Sequence, residues 1–260
     1  VTFGEFQRSR RMENKHNMMT ENYVEMQEEG KEPSIVDDFM YGTNVMQSHI
    51  YVRMGFLRKV YGLLTIQILL TSIVGSLFMF IPDVKGFIMV NSWMLTVSML
   101  STLFILLALM IKRRESPMNL YLLFGFTICE AVSIGFLVAL SDKTAVLQAF
   151  LITLVITVGL TLFTLQSKRD FKSLGGFLFF MLWGLIAVGL VHLFIPTTGV
   201  ELGLAFVGAI VFSLFIVYDT HLLMKQLSPE EYILATINLY LDIINLFVHI
   251  LRILNAVKRN

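Results

Sequence analysis

Seven apolar runs, each about long enough to cross a bilayer, dominate this 260-residue sequence. The hydrocarbon core of a bilayer is about 30 Å thick and requires roughly 20 helical residues. Because lipid offers no hydrogen-bond partners to the backbone, each run is expected to be helical. The sequence therefore predicts an all-α, polytopic membrane protein with a seven-helix membrane domain at 58–257. The runs lie near 60–81, 89–111, 118–140, 144–165, 175–195, 202–224 and 232–254.

The composition excludes several other classes of protein. Hydrophobic residues make up 56% of the chain, more than one soluble core can hide, so the lipid bilayer is the expected partner. The net charge of +1 argues against a nucleic-acid partner. The sequence contains no His/Cys cluster with zinc spacing, no glycine-rich phosphate loop and no G-x-S-x-G motif. We therefore expect no enzyme activity, no fixed metal and no cofactor.

The basic residues predict the orientation of the chain in the membrane. Residues 1–57 are polar and are predicted to form a flexible tail. The tail through Lys59 and the loops after the second, fourth and sixth runs carry fifteen Lys and Arg, whereas the other three loops carry two. Because basic loops stay on the cytosolic side, the tail and the even-numbered loops are predicted to be cytosolic.

The end of the chain does not follow this charge pattern. Arg252, Lys258 and Arg259 lie beyond the centre of the seventh run. If this run crosses the membrane, they lie on the non-cytosolic side; if it re-enters, they add to the cytosolic count. The run is long enough to cross, so we favour crossing over re-entry.

The seventh run carries a polar stripe. Asn238, Asp242, Asn245, His249 and Arg252 follow one another at spacings of four and three residues, which places them on one helix face. Polar groups facing lipid would lose their hydrogen bonds, so this face is expected to point toward protein or a water-filled cavity. The stripe could line a pore and contact cations. The alternative, favoured for the two asparagines, is that it only joins helices.

Asp242 has a predicted partner in the sixth run. Ser228, Pro229 and Glu231 have the pattern of a helix start with a capping box, which predicts a tight antiparallel hairpin. Asp219 and Asp242 are equally far from this turn, so they lie at the same depth. Two carboxylates that meet in low dielectric cannot both ionise, and the pair is expected to share a proton and titrate as a unit. This predicts a hydrogen-bonded latch when protonated and a repelling pair when ionised. Two unrelated polar residues remain the alternative.

Glu130 is a third acid at membrane depth, in the third run, with Thr127 and Ser133 three residues away on either side. Two interpretations are equally open: a group that contacts cations or relays protons, or a neutral group hydrogen-bonded across a helix pair. His192 and His221 lie near helix ends, where interfacial hydrogen bonds are the favoured interpretation.

The segment "IVYDTHLLMKQLSPEEYILATINLYLDIINLFVHILRIL" resembles the end of the Bax inhibitor motif-containing transmembrane family. The segments "NLYLLFGFTICEA", "LQAFLITLVITVGLTLFTLQSKRDF" and "SIVDDFMYGTNV" resemble its Lifeguard branch. The resemblance covers about residues 33–257. It implies seven helices with the seventh at the centre, a multi-pass protein of Golgi or endoplasmic reticulum membranes, a calcium leak from these stores, and suppression of apoptosis.

The resemblance also implies roles for individual residues. In bacterial relatives the matching aspartates, here Asp219 and Asp242, form a pH-sensing pair, with calcium as a transient, permeant ion. An arginine at the cytosolic end of the second helix helps latch the pore, and Arg113 matches it here. Arg113 is expected either to reach toward Asp219 or only to follow the positive-inside rule together with its basic neighbours, and the two interpretations are equally open.

Two other functions remain open. A non-conducting scaffold could bind a partner such as the inositol trisphosphate receptor, or a second copy of itself. An intramembrane aspartyl protease also uses two aspartates, one within a Tyr-Asp pair, and "VYDT" matches that half. The other half requires Gly-x-Gly-Asp, whereas Leu239, Tyr240 and Leu241 precede Asp242. Protease activity is therefore a remote alternative.

Overall fold

The computed structural model describes residues 50–259, and this part of the chain is all α-helical. The predicted tail before residue 50 lies outside the described residues. A 3₁₀ turn at Pro229–Glu231 precedes the last helix. The helices are α1 (Ile50–Phe80), α2 (Pro82–Val90), α3 (Trp93–Lys112), α4 (Met118–Ala139), α5 (Lys143–Gln166), α6 (Leu174–Phe194), α7 (Thr198–Lys225) and α8 (Tyr232–Arg259).

Seven of these helices, all except α2, are long and apolar enough to cross a membrane. The predicted all-α, polytopic membrane fold is therefore confirmed. Two boundaries differ from the prediction. The predicted second run, 89–111, is interrupted: α2 ends at Val90, where the side chain of Asn91 donates a hydrogen bond to the carbonyl of Phe87 at 2.9 Å, and α3 starts at Trp93.

The first helix also begins earlier than predicted. Residues 50–57, which the prediction assigned to the tail, form the first two turns of α1. Phe56, Val60 and Leu64 are buried at four-residue spacing, so one face of this segment already packs on the bundle. Because basic side chains such as Arg53 interrupt it, the segment did not appear as part of an apolar run.

Helix α8 is the most buried of the seven long helices, and it packs against α1, α4, α5 and α7. Its 28 residues are continuous. Near its start, the side chain of Asn119 donates a hydrogen bond to the hydroxyl of Tyr232 at 3.3 Å. Near its end, Asn255 donates to the hydroxyl of Ser141 at 3.0 Å. Because these contacts lie at opposite ends of α4, α8 runs the full height of the bundle.

Candidate functional site: a buried aspartate pair

The structure brings Asp219 and Asp242 together. Helices α7 and α8 form an antiparallel hairpin around the turn at Pro229–Glu231, so both aspartates lie at the same depth. Their carboxyl groups are within hydrogen-bonding distance of each other. Both residues are buried, with 9% of Asp219 and 6% of Asp242 exposed. The pair is therefore an intramembrane carboxyl dyad.

The surroundings of the pair are apolar. The residues one helical turn before and after each aspartate, Ile216 and Leu223 on α7 and Leu239 and Leu246 on α8, are at most 2% exposed. Within residues 50–259, the second carboxyl oxygen of Asp242 has no hydrogen-bond partner. Two carboxylates cannot hydrogen-bond without a proton, and two negative charges in low dielectric repel strongly. The geometry therefore suits a pair that holds one proton between two oxygens.

The other residues of the polar stripe lie in different surroundings. Asn245 donates a hydrogen bond within its own helix, to the carbonyl of Leu241 at 2.8 Å. His249 stacks on Phe212 of α7, with the ring centroids 5.5 Å apart. Asn238 is half-buried and Arg252 is exposed. The stripe faces protein along most of its length, but only Asp242 meets a second ionisable group in the bundle interior.

Glu130 is not part of the aspartate pair. It lies on α4, half-buried, and its carboxyl group faces Thr102 of α3. The flanking hydroxyls make other bonds: Thr127 accepts from the side chain of Gln67 at 2.9 Å, and Ser133 donates to the carbonyl of Cys129 at 3.2 Å. Glu130 thus faces a neighbouring helix, and both interpretations of its role stay predictions.

A second buried polar contact was not predicted. The hydroxyls of Thr71 on α1 and Tyr240 on α8 are 2.8 Å apart, and both residues are buried. The ring of Tyr240 also meets Phe126 of α4 edge-on, with centroids 5.9 Å apart. Single hydroxyls are common in apolar runs, and nothing in their spacing shows that these two residues meet. The contact joins α1, α4 and α8.

Arg113 lies elsewhere than predicted. Its guanidinium is 3.4 Å from a carboxylate oxygen of Glu231, and that of Arg114 is 2.7 Å from the same oxygen. Glu231 is only 14% exposed at its side chain, and it raises the pKa of Arg114 through the hydrogen bond between them. The only ion pair of Arg113 in the described part of the chain is with Glu231, not Asp219. The α3–α4 loop is thus held to the start of α8.

The side-chain hydrogen bonds predicted for a capping box at Ser228 and Glu231 are also wrong. Ser228 is the N-cap of the 3₁₀ turn and Pro229 is its first residue, as expected, but the Ser228 hydroxyl makes no capping hydrogen bond. The carboxylate of Glu231 accepts from Arg114 instead. An arginine pair from a neighbouring loop is a stronger partner for a carboxylate than a single backbone amide.

A double-mutant cycle should show which arginine is coupled to Glu231. We expect Arg114→Gln and Glu231→Gln to be non-additive in the unfolding midpoint by roughly 1–2 °C, because the contact is short but partly exposed to solvent. Arg113→Gln should couple less, since its contact is longer. The measurement is thermal unfolding of the detergent-purified protein, with Glu230→Gln as the control on the exposed neighbour. Full additivity of Arg114→Gln and Glu231→Gln would contradict this assignment.

At the opposite end of the bundle, Lys258 of α8 donates a hydrogen bond to Asp142, the N-cap of α5. The same carboxylate accepts from the backbone amide of Ala145 at 2.9 Å. The lysine and the amide together lower the pKa of Asp142 below its usual value. This contact holds the end of α8 against the α4–α5 loop.

The two histidines near helix ends make the interfacial hydrogen bonds predicted for them. The Nε2 of His221 is 2.8 Å from Asp170 in the α5–α6 loop. A backbone amide at Lys172 and this histidine lower the pKa of Asp170. The Nδ1 of His192 accepts from the backbone amide of Thr197 at 3.4 Å. Among residues 50–259, no group of three or more His, Cys, Asp or Glu is placed to hold a metal ion.

The fold and the site together define a class of protein: a helical membrane protein with seven spans and an aspartate pair between its last two helices. A family described as "Inhibitor of apoptosis-promoting Bax1" matches residues 53–259. The chain belongs to this Bax inhibitor family.

Three relatives align with this chain over most of their own length. The chain is 46% identical over 226 residues to "Protein lifeguard 4" of Mus musculus, covering 87% of this chain and 95% of the relative. It is 47% identical over 223 residues to the "Golgi anti-apoptotic protein" of Vaccinia virus (strain Lister), covering 86% and 94%. It is 38% identical over 239 residues to "Bax inhibitor 1" of Schizosaccharomyces pombe, covering 92% and 90%.

Proposed function

We propose that this protein is a pH-sensitive calcium leak channel of Golgi membranes, present also in the endoplasmic reticulum, that lowers store calcium and inhibits apoptosis. The observation that carries the proposal is the meeting of Asp219 and Asp242 between two membrane-spanning helices. An intramembrane acid is costly, and such groups serve ion or proton pathways. The name of the viral relative supports the Golgi location and the anti-apoptotic role, and the description of the family supports the second of these.

The pair can act as a switch because its contact depends on one proton. With the proton present, the carboxyls are bonded and hold α7 against α8. Without it, two like charges face each other in low dielectric, and water or a cation must enter to compensate them. This changes the spacing of the two helices at the depth of the pair.

Calcium suits the ionised form of this pair. Calcium prefers carboxylate and carbonyl oxygens, and two facing carboxylates supply up to four of them. Because the described residues offer no third acid at this position, the ion would be held transiently rather than in a fixed site. Weak holding is what conduction requires, since an ion must leave as well as enter.

A calcium flux assay on the purified protein in liposomes tests the leak directly. We expect calcium to leave protein-containing liposomes faster than empty ones, with a rate that changes with pH near neutrality. A scaffold that only modulates the inositol trisphosphate receptor, or another copy of itself, gives no flux without its partner. Flux equal to that of empty liposomes would favour the scaffold.

The protease alternative finds little support in the geometry around Asp242. An aspartyl protease must let a substrate backbone approach its carboxyls. Leu239 and Leu241 occupy the two positions where that family has glycine, and Leu239 is 2% exposed while Leu241 is half-buried, so bulky side chains replace both glycines. We therefore propose that the protein is not an enzyme.

We propose that the N-terminal tail and the α3–α4 and α5–α6 loops are cytosolic, because these segments hold most of the basic residues. Cysteine labelling in sealed Golgi vesicles, in a Cys129→Ala background, checks this. A cysteine at exposed Lys168 should react with an impermeant reagent from outside, whereas one at exposed Val257 should react only after permeabilisation. The reverse pattern would invert the orientation, and equal access of both positions would contradict the crossing of α8.

A further inference from the structure

A crevice lies between α1 and α5, on the side of the bundle where α4 ends. Its volume is about 310 Å³, and α4 and α8 form its floor. Its walls are mostly apolar, with a few serine and threonine hydroxyls. The residues that the argument uses are Gly75, Ser76 and Phe80 on α1, and Lys143, Leu147 and Phe150 on α5.

The crevice opens toward the bilayer. Leu147 is 60% exposed and Phe150 is 40% exposed, and both lie at its rim on a membrane-spanning helix. Its lining runs from Ile68 to Phe80 along α1, a rise of roughly 18 Å at 1.5 Å per residue. One leaflet supplies about half of the 30 Å hydrocarbon core. The crevice therefore spans about one leaflet.

A cation lies at the mouth of this crevice. The ammonium of Lys143 is 5.2 Å from the centroid of the Phe80 ring, and both residues line the crevice. In the described part of the chain Lys143 forms no ion pair, because its neighbour Asp142 is paired with Lys258. A lysine at a helix end near the membrane interface attracts anionic headgroups.

We propose that the crevice binds one acyl chain of a phospholipid with an anionic headgroup, and that Lys143 contacts the phosphate of that headgroup. An apolar channel of one leaflet's depth suits a hydrocarbon chain, and the lysine at its mouth suits the charge that such a chain carries at the interface. A helix from a second copy has a diameter of about 10 Å with its side chains, too wide to enter a space of this volume. This inference is independent of the calcium leak.

Native mass spectrometry of the detergent-purified protein tests the proposal, with phosphatidylglycerol and phosphatidylcholine of equal chain length as probes. We expect the parent to retain phosphatidylglycerol about fivefold better, the preference that one lysine contact supplies. Lys143→Gln should remove this preference while keeping binding of the chain. Lys85→Gln, an exposed lysine at the same end of the bundle, is the matched control and should keep the preference.

Filling the crevice tests the acyl chain separately. A side chain at Gly75 meets only Val138, at 3.9 Å, so Gly75→Phe can place its ring in the crevice and should reduce retention of both lipids. Glycerol phosphate, which has the headgroup phosphate without chains, should not compete. An unchanged preference in Lys143→Gln, an equal loss in Lys85→Gln, or full competition by glycerol phosphate would overturn the proposal. The comparison of the two lysine variants does not require Gly75→Phe to fold.

Discussion

Calcium leak through Asp242→Asn should no longer depend on pH near neutrality, and at alkaline pH it should equal the leak that the parent shows in acid. The introduced asparagine would keep an amide donor beside Asp219 at every pH, whereas the parent keeps a donor only while the shared proton is present. The variant is thereby held in the bonded state. We expect the leak rate at alkaline pH to differ from the parent's by about tenfold, the effect of about 1.4 kcal/mol in the balance between the two states.

Asp219→Asn should behave in the same way, because the pair titrates as a unit. The control is Glu201→Gln, which removes an exposed acid near the start of the same helix α7 and should leave the pH profile unchanged. The assay is calcium flux in liposomes across pH, at equal protein incorporation. If either asparagine variant kept the parent's pH profile, the aspartate pair would not be the sensor.

Gly208→Ala should destabilise the contact between α7 and α8. A Cβ at this position would lie closer than 3.0 Å to the imidazole of His249, which is stacked on Phe212. Overpacking of this kind costs about 1–3 kcal/mol when the neighbour cannot move freely. We expect the apparent unfolding midpoint in detergent to fall by roughly 5 °C.

Two further variants establish the cause of that loss. Gly203→Ala on the same helix has no atom within 4 Å of the added Cβ and should leave the midpoint unchanged. His249→Ala removes the clashing ring, so the combination with Gly208→Ala should lose less than the sum of the single variants. Additive losses, or an equal fall for Gly203→Ala, would show that the close packing of Gly208 on His249 is not responsible.

The aspartate pair could be predicted because its geometry depends on local features of the sequence. The turn near Pro229 fixes where the chain reverses, and equal distances along two antiparallel helices then fix the depth of Asp219 and Asp242. The direction in which the polar stripe on α8 faces could also be predicted, since a membrane helix must turn such a face toward the inside of a bundle. Both predictions rest on helix periodicity and one tight turn.

Other contacts depend on how helices that are distant in the sequence pack. Glu231 had a plausible local partner in Ser228, but packing brings the α3–α4 loop to it, and Arg114 takes the carboxylate. The contact of Thr71 with Tyr240 joins residues 169 positions apart. The crevice is formed by α1 and α5, which do not follow each other in the chain. No periodicity within one helix encodes these features.

The shared proton itself is the central claim, and infrared spectroscopy of protein labelled with ¹³C at the aspartate carboxyl can observe it. In liposomes at neutral pH, the account predicts the carbonyl stretch of a protonated aspartic acid, shifted by the label and absent from both Asp219→Asn and Asp242→Asn. This band should disappear with rising pH over the same range in which the calcium leak changes. A parent protein without such a band, or one whose band titrates in a different range from the leak, would contradict the account.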